Sequence, residues 1–338
     1  MQIYKDFELS DILWYKIGGR AKYFIEATSQ NDIKDAFDYI FQNNIEKYFV
    51  LGMGANLLFT DEYFDGAVIR ITSSPLHPSQ GSDLNSSDKN TQDIAINNEA
   101  ITAFSGVTLD SVIVAGFENN LIGLEWAGGL PGTVGAAIRG NAGAFGGEIK
   151  DITKEVTILR IIEKAYNQTT LANENLNFGY RTSIVKQEKN LVVLSAVLQL
   201  KSATEADIEQ AKLAYNNNIF YRKTHHPDPY VYPNTGSAFK NIRREEEIAK
   251  VLSIWPDIKG FVKDKWHGKI SVGYINNRLG FAGYKIGNAQ VSPLHANFIL
   301  NMGKAKAADV EAIIVTIQKK YQETFGFIPE PEVEIVHP

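Results

Sequence analysis

Two stretches of this chain put bare backbone where side chains would normally stand. In Val50-Leu51-Gly52-Met53-Gly54-Ala55-Asn56-Leu57-Leu58 an apolar, strand-like run ends in Gly-x-Gly-x-Asn, a turn whose N–H groups can approach a pyrophosphate unobstructed. It is not the dinucleotide fingerprint Gly-x-Gly-x-x-Gly, because Leu57 stands where the third glycine would be. A plain structural turn accounts for it equally well. The second stretch runs from Trp126-Ala127-Gly128-Gly129-Leu130-Pro131-Gly132-Thr133-Val134-Gly135-Ala136-Ala137 to Gly140-Asn141-Ala142-Gly143-Ala144-Phe145-Gly146-Gly147. So many small residues imply backbone packed against something flat or phosphorylated, at an entropic cost that a mere loop seldom retains. The alternative is a close-packed helix crossing.

Three side chains stand out beside them. Arg181, after Tyr180, carries a planar fork suited to a carboxylate whose electron density rises during a reaction. Without further context such a pair is more often a surface ion pair. Ser237 follows Gly236 in a turn opened by Pro233-Asn234-Thr235, where a hydroxyl can be held rigidly, although Gly-Ser is usually just a turn. Glu332 lies in the strand-like Pro331-Glu332-Val333-Glu334-Ile335-Val336, where edge glutamates are common. His225 and His226 are adjacent, but no acidic or further histidine partner stands at a ligand spacing, so no metal is expected.

The elements that must position these residues alternate in type. Ala21 to Ala27 and Tyr48 to Leu51 read as strands around a helix from Gln30 to Gln42. Ser73 to Asn98 is polar and turn-rich, a loop or long hairpin at a boundary with no chemistry of its own. Helices are predicted over Leu109 to Asn119, Glu205 to Phe220, Arg243 to Leu252, Val272 to Leu279 and Ala307 to Thr324. A buried strand is predicted at Asn297 to Asn301, and the Pro-rich His226 to Pro233 marks a second boundary.

At 338 residues the length favours two or three domains. With 34 basic against 39 acidic residues, net −5, there is no broad cationic field for nucleic acid. No apolar run approaches the ~20 residues of a membrane span. Cysteine is absent, which excludes thiol catalysis, zinc-thiolate sites, iron–sulfur clusters, disulfides and cysteinyl-flavin. The start, Met1-Gln2-Ile3-Tyr4-Lys5-Asp6, lacks a secretory layout. The chain is expected to be cytoplasmic and monomeric, acting on small molecules, with neither nucleic acid nor membrane as partner.

Taken in order, Ile17-Gly18-Gly19-x-Ala21, Gly52-x-Gly54-x-Asn56-Leu57-Leu58 and Gly129-Leu130-Pro131-Gly132-Thr133-Val134-Gly135 resemble the FAD-binding half of UDP-N-acetylenolpyruvoylglucosamine reductases. The resemblance continues through Gly179-Tyr180-Arg181-x-Ser183, Gly236-Ser237-Ala238-Phe239-Lys240-Asn241, Gly283-Tyr284-Lys285-Ile286-Gly287-Asn288-Ala289 and Glu330-Pro331-Glu332-Val333, nearly the whole chain. It implies an α+β protein: a two-subdomain FAD-binding fold of the vanillyl-alcohol-oxidase type plus a C-terminal α+β substrate domain. The pieces would be 1–72 rejoined by 325–338, then 73–215, then 216–324.

By that resemblance the enzyme is a UDP-N-acetylmuramate dehydrogenase, holding FAD noncovalently and taking hydride from NADPH in ping-pong fashion. The cofactor would lie between the first two pieces with its ring facing the third. Arg181, Ser237 and Glu332 match the family's catalytic residues: Ser237 the proton donor, effective only if aligned on a strongly basic intermediate, and Glu332 orienting the carboxylate or assisting protonation. Gly52, Gly54, Ala55, Asn56, Leu57, Gly128, Gly129, Pro131, Gly132, Thr133, Gly135, Ala136, Asn141 and Gly143 fall on cofactor positions, and Tyr180, His225, Lys240 and Asn241 on substrate positions. The chain departs from the family at Ala55, often Ser; at His225, often Lys or Gln; and at Glu334, often Arg. It also lacks the substrate-covering tyrosine loop of one branch, for which Tyr230 and Tyr232 are candidate substitutes. An oxygen-dependent oxidase on the same flavin scaffold is the nearest rival, and a catalytically dead nucleotide-binding protein the second. No histidine lies in the glycine-rich stretches to tether a flavin, and the three catalytic residues are all retained.

Overall fold

Ser29 caps the helix Gln30–Gln42, its hydroxyl accepting the Asp32 N–H at 3.1 Å. One face of that helix, Ile33, Ala36, Phe37 and Ile40, is buried at the i, i+3, i+4, i+7 spacing that marked it in the sequence. The computed structural model describes residues 1–74 and 93–338, so most of the polar tract expected to be a loop or hairpin lies outside the described residues. Its last part, Ile94–Asn97, is a strand.

The described chain gathers into two compact units. The first comprises Met1–Phe7, Ala21–Gly54 and Phe64–Arg222, the second Glu8–Arg20, Ala55–Tyr63 and Lys223–Pro338.

The first unit holds two sheets on one apolar core. In the four-stranded sheet the order is Gln2–Glu8, Arg20–Ala27, Phe64–Ile71, Tyr48–Leu51, with Ile69 opposite both Ile25 and Val50 in parallel pairs. Such pairs need a crossover, which Gln30–Gln42 provides. The five-stranded sheet is antiparallel, Ala165–Ala172, Thr153–Ile162, Leu191–Gln199, Ala100–Phe104, Ile94–Asn97. Its middle strand is buried from Leu191 to Ala196, as a covered strand of continuous apolar residues should be. The short helix Val134–Gly140 packs on that strand. Phe37, Ile69, Val134, Ile158 and Leu194 belong to the same core.

The second unit is built on the helix Ala307–Phe325, which buries Val310, Ile313, Ile314, Ile317 and Tyr321 and ends on Gly326 at φ +72°. Against it lies a three-stranded antiparallel sheet, Lys285–Ile286, Ala289–Val291 and Ile299–Asn301. The segment Glu8–Arg20 joins this unit through Tyr15, whose buried hydroxyl donates to the Ile299 carbonyl at 2.9 Å while Asn301 Nδ2 donates to the Tyr15 carbonyl at 3.0 Å. The last strand, Glu334–Val336, runs parallel to Leu57–Phe59. It begins three residues later than the strand-like run containing Glu332, because the Glu332 N–H is taken by Ala238 rather than by a strand neighbour. Glu205–His225 likewise runs beyond Phe220, since nothing breaks the helix before Pro227.

Candidate active site

In the first unit the two glycine-rich stretches meet. Tyr48–Leu51 delivers the chain to Gly52, where an added Cβ would lie 2.6 Å from Thr133 Oγ1. Only a hydrogen side chain permits that approach. Gly54 follows at φ +69°, a region that side chains strain to adopt. Thr133 caps Val134–Gly140 by accepting the Ala136 N–H at 3.4 Å. The Val134 and Gly135 N–H groups donate to the Val107 and Ser105 carbonyls, both at 2.8 Å. Three N–H groups of this stretch are therefore engaged inside the protein, and what Gly135 contributes is close approach: a Cβ there would lie 2.9 Å from Ser105 Cβ. Gly128 has an internal reason too, since a Cβ would press 2.7 Å from the Tyr215 ring. Gly132, at φ +156°, faces open space, and Pro131 beside it is exposed.

Arg181 stands at the tip of a tight turn closed by Gly179 and Thr182, in the left-handed region at φ +59°. Such a conformation costs about 1–3 kcal/mol and persists only when its surroundings impose it. Here they do. Asn141, fully buried at φ +42°, donates to the Gly179 carbonyl at 2.8 Å and to Glu148 Oε2 at 3.0 Å, and its Oδ1 accepts the Lys150 N–H at 3.2 Å. Ser183 Oγ donates to the Arg139 carbonyl at 2.8 Å. The guanidinium then donates through Nη2 to the Gly143 carbonyl at 2.9 Å and sits 5.4 Å from the Tyr180 ring. Arg181, Tyr180, Asn141 and Gly143 thus form one braced group.

Arg222 was not read from the sequence, where it is one basic residue among several on a long polar helix. Its Nε donates to the Gly128 carbonyl at 3.0 Å and its guanidinium lies 5.1 Å from the Phe145 ring. Burial pulls its pKa down to about 10, with Arg181 adding to the fall and Asp110 opposing it. Asp110 accepts the Gly129 N–H at 3.2 Å, and burial holds its carboxyl above the usual range. Among the described residues, Arg222 Nη2 and Ser105 Oγ are buried without a hydrogen-bond partner. Buried donors are seldom left so. Together with the bare backbone at Gly54 and Gly132, they suit a flat, anionic group.

In the second unit Ser237 and Glu332 meet on one residue. Asn234 shapes the turn, its Oδ1 accepting the Gly236 N–H at 3.0 Å and its Nδ2 donating to the Tyr232 carbonyl at 2.8 Å. Gly236 is at φ +77°. Next to half-buried Ser237, the Ala238 N–H donates to the Asn297 carbonyl at 2.6 Å, and the Ala238 carbonyl accepts the Glu332 N–H at 2.8 Å. Asn56 braces the other side of Glu332: its Nδ2 donates to the Glu332 carbonyl and its own carbonyl accepts the Glu334 N–H, both at 3.2 Å. Ala55 and Leu57 flank it, Leu57 pairing with Glu334. Lys240 is ion-paired with Glu330, and Asn241 Oδ1 accepts the Val272 N–H at 3.1 Å. His225 is exposed, sharing a 2.8 Å hydrogen bond with the Thr224 hydroxyl. His226 instead packs 5.0 Å from the Phe298 ring and 5.6 Å from His295.

No helix among the described residues is long and apolar enough to cross a membrane. The family model described as UDP-N-acetylenolpyruvoylglucosamine reductase, C-terminal domain, matches residues 228–336, and that described as FAD binding domain matches residues 21–162. The UDP-N-acetylenolpyruvoylglucosamine reductase of Caldicellulosiruptor bescii is 32% identical over 336 residues, covering 99% of this chain and 91% of its own. That of Syntrophomonas wolfei is 32% identical over 322 residues, covering 95% and 91%. The crystal structure of the Thermus caldophilus enzyme of the same name superposes with a TM-score of 0.70 at 25% identity, over 99% of each chain.

Proposed function

Because the chain belongs to the UDP-N-acetylenolpyruvoylglucosamine reductase family, we propose that it reduces UDP-N-acetylglucosamine enolpyruvate to UDP-N-acetylmuramate for peptidoglycan synthesis, with NADPH as donor and noncovalent FAD as cofactor. The observation that supports this reading is the 2.8 Å hydrogen bond from Glu332 N–H to the Ala238 carbonyl, which ties the backbone of Glu332 to the residue that follows Ser237. The two sheets of the first unit are the FAD-binding subdomains in this proposal, and residues from Lys223 onward bind the sugar nucleotide.

FAD, when bound, supplies the hydride chemistry. Gly54 and Gly132 present bare backbone to its phosphates, Gly52 lets that turn close on Thr133, and Arg222 Nη2 and Ser105 Oγ offer buried donors. Arg181, held in one orientation by Asn141 and Gly143, offers its fork to the substrate carboxylate and stabilises the charge that builds there. Ser237 donates a proton to the carbon next to that carboxylate, which requires its hydroxyl to be fixed at hydrogen-bond distance. Glu332 orients the carboxylate or assists that proton transfer. Tyr180, His225, Lys240 and Asn241 contact the nucleotide, Lys240 once it leaves Glu330.

The test is NADPH oxidation by FAD-loaded protein with and without the enolpyruvyl nucleotide. Oxidation that depends on the nucleotide and yields the lactyl ether is expected. Yellow, folded protein that oxidises NADPH no faster with the nucleotide than without it overturns the reading.

A further inference from the structure

The backbone after Ser237 is gripped by one buried side chain. Asn297 is 4% exposed. Its Oδ1 accepts the Phe239 N–H at 3.1 Å and its Nδ2 donates to the Phe239 carbonyl at 2.8 Å, so one carboxamide satisfies both polar groups of a single residue, as a neighbouring strand would. The Asn297 carbonyl also takes the Ala238 N–H at 2.6 Å, and Ser237 bridges to Phe298. On the far side, the Ala238 carbonyl holds the Glu332 N–H at 2.8 Å.

Asn297 is itself anchored. Its N–H donates to His295 Nδ1 at 3.3 Å, the Phe298 N–H donates to the His295 carbonyl at 2.9 Å, and the adjacent Ala296 carbonyl accepts from Asn276 Nδ2 at 2.9 Å. Asn276 Oδ1 in turn accepts from the buried hydroxyl of Tyr321 at 2.9 Å, on the central helix. Hydrogen bonds from Tyr321 through Asn276 to the Ala296 carbonyl, and the peptide link from there to Asn297, therefore join the core of the second unit to Ala238, which follows Ser237 and accepts the Glu332 N–H.

We propose that Asn297 is a positioning residue, setting the Ser237 hydroxyl and the Glu332 carboxyl relative to one another by fixing Ala238 and Phe239. The inference rests on the roles given above to Ser237 and Glu332. An amide offers an acceptor and a donor at this spacing at any pH. Ionised aspartate has the same shape but turns an acceptor toward the Phe239 carbonyl, which frees that carbonyl and loosens the turn without emptying the site.

The test uses FAD-loaded Asn297→Asp and Asn297→Ala, followed anaerobically by flavin absorbance. Reoxidation by the enolpyruvyl nucleotide should slow about 100-fold, the loss that a misplacement near 1 Å produces. Its solvent deuterium isotope effect should rise above the wild-type value, and reduction by NADPH should stay unchanged. A merely structural role lowers the folded fraction and leaves the isotope effect of the remaining enzyme as it was; that result overturns the proposal. So does wild-type reoxidation in both variants. If neither variant folds, amide exchange in the wild type decides: slow exchange at Ala238 and Phe239 supports the clamp, and exchange as fast as that of exposed loops overturns it. Wild-type enzyme that is not reoxidised by the nucleotide defeats the functional reading itself, a different failure.

Discussion

Asn141 Nδ2 donates to the carbonyl of Gly179 at 2.8 Å, and through this bond the left-handed turn that carries Arg181 is tied to the glycine-rich loop. Asn141→Ala removes that bond and those to Glu148 and Lys150. The groups left unsatisfied should lower stability by about 1–3 kcal/mol, and the released Arg181 should lower turnover as well. Urea unfolding and steady-state kinetics measure the two; lost stability with unchanged kcat would show that the brace does not reach Arg181.

Arg181→Lys keeps the charge and loses the planar fork. A lost preorganised donor is worth about 10²- to 10³-fold in rate, and reoxidation of the flavin by the nucleotide should fall on that scale while reduction by NADPH does not. Wild-type turnover in this variant would remove Arg181 as the carboxylate clamp.

Gly54→Val should impair FAD retention, because valine is strained at φ +69° and its branches fill the bare turn. The measurement is flavin content after gel filtration of folded protein. Unchanged content would show that this turn does not touch the cofactor.

Much of this architecture was legible because it is local. The face Ile33, Ala36, Phe37, Ile40 and the strand Tyr48–Leu51 running into Gly52 are written in consecutive residues. The clamps were not legible. Asn297 finds Phe239, and Asn56 finds Glu332, across long sequence separations that carry no periodic signal. Asn56, expected among cofactor contacts, uses one of its two side-chain N–H donors on the Glu332 carbonyl. Arg222 is distinguished only by what folds around it, Gly128 and the Phe145 ring. The density of glycine also has mixed causes: Gly128 makes room for Tyr215, while Gly132 opens onto unfilled space.

His295 gives the fold a pH dependence of known sign. Burial lowers its pKa below the ordinary 6.5, so the folded state holds it neutral, with Nδ1 accepting the Asn297 N–H. The unfolded chain takes up a proton as pH falls through about 6.5, and the folded chain does so only at lower pH. Stability should therefore fall with pH across that window and level off below the folded pKa. Urea unfolding from pH 5 to 8 should show a shallower slope in His295→Gln, and an identical slope would show that His295 does not contribute.

The central claim, that Ser237 delivers the substrate proton, meets its most direct test in Ser237→Ala. Anaerobic stopped-flow absorbance follows the bound flavin first with NADPH and then with the enolpyruvyl nucleotide. Reduction needs no substrate proton and should run at the wild-type rate. Reoxidation should slow by about 10²- to 10⁴-fold, roughly 3 to 5 kcal/mol of barrier, because an alanine methyl has no proton to give. Equal slowing of both steps would mean a displaced flavin, and slowing of neither would contradict the role assigned to Ser237.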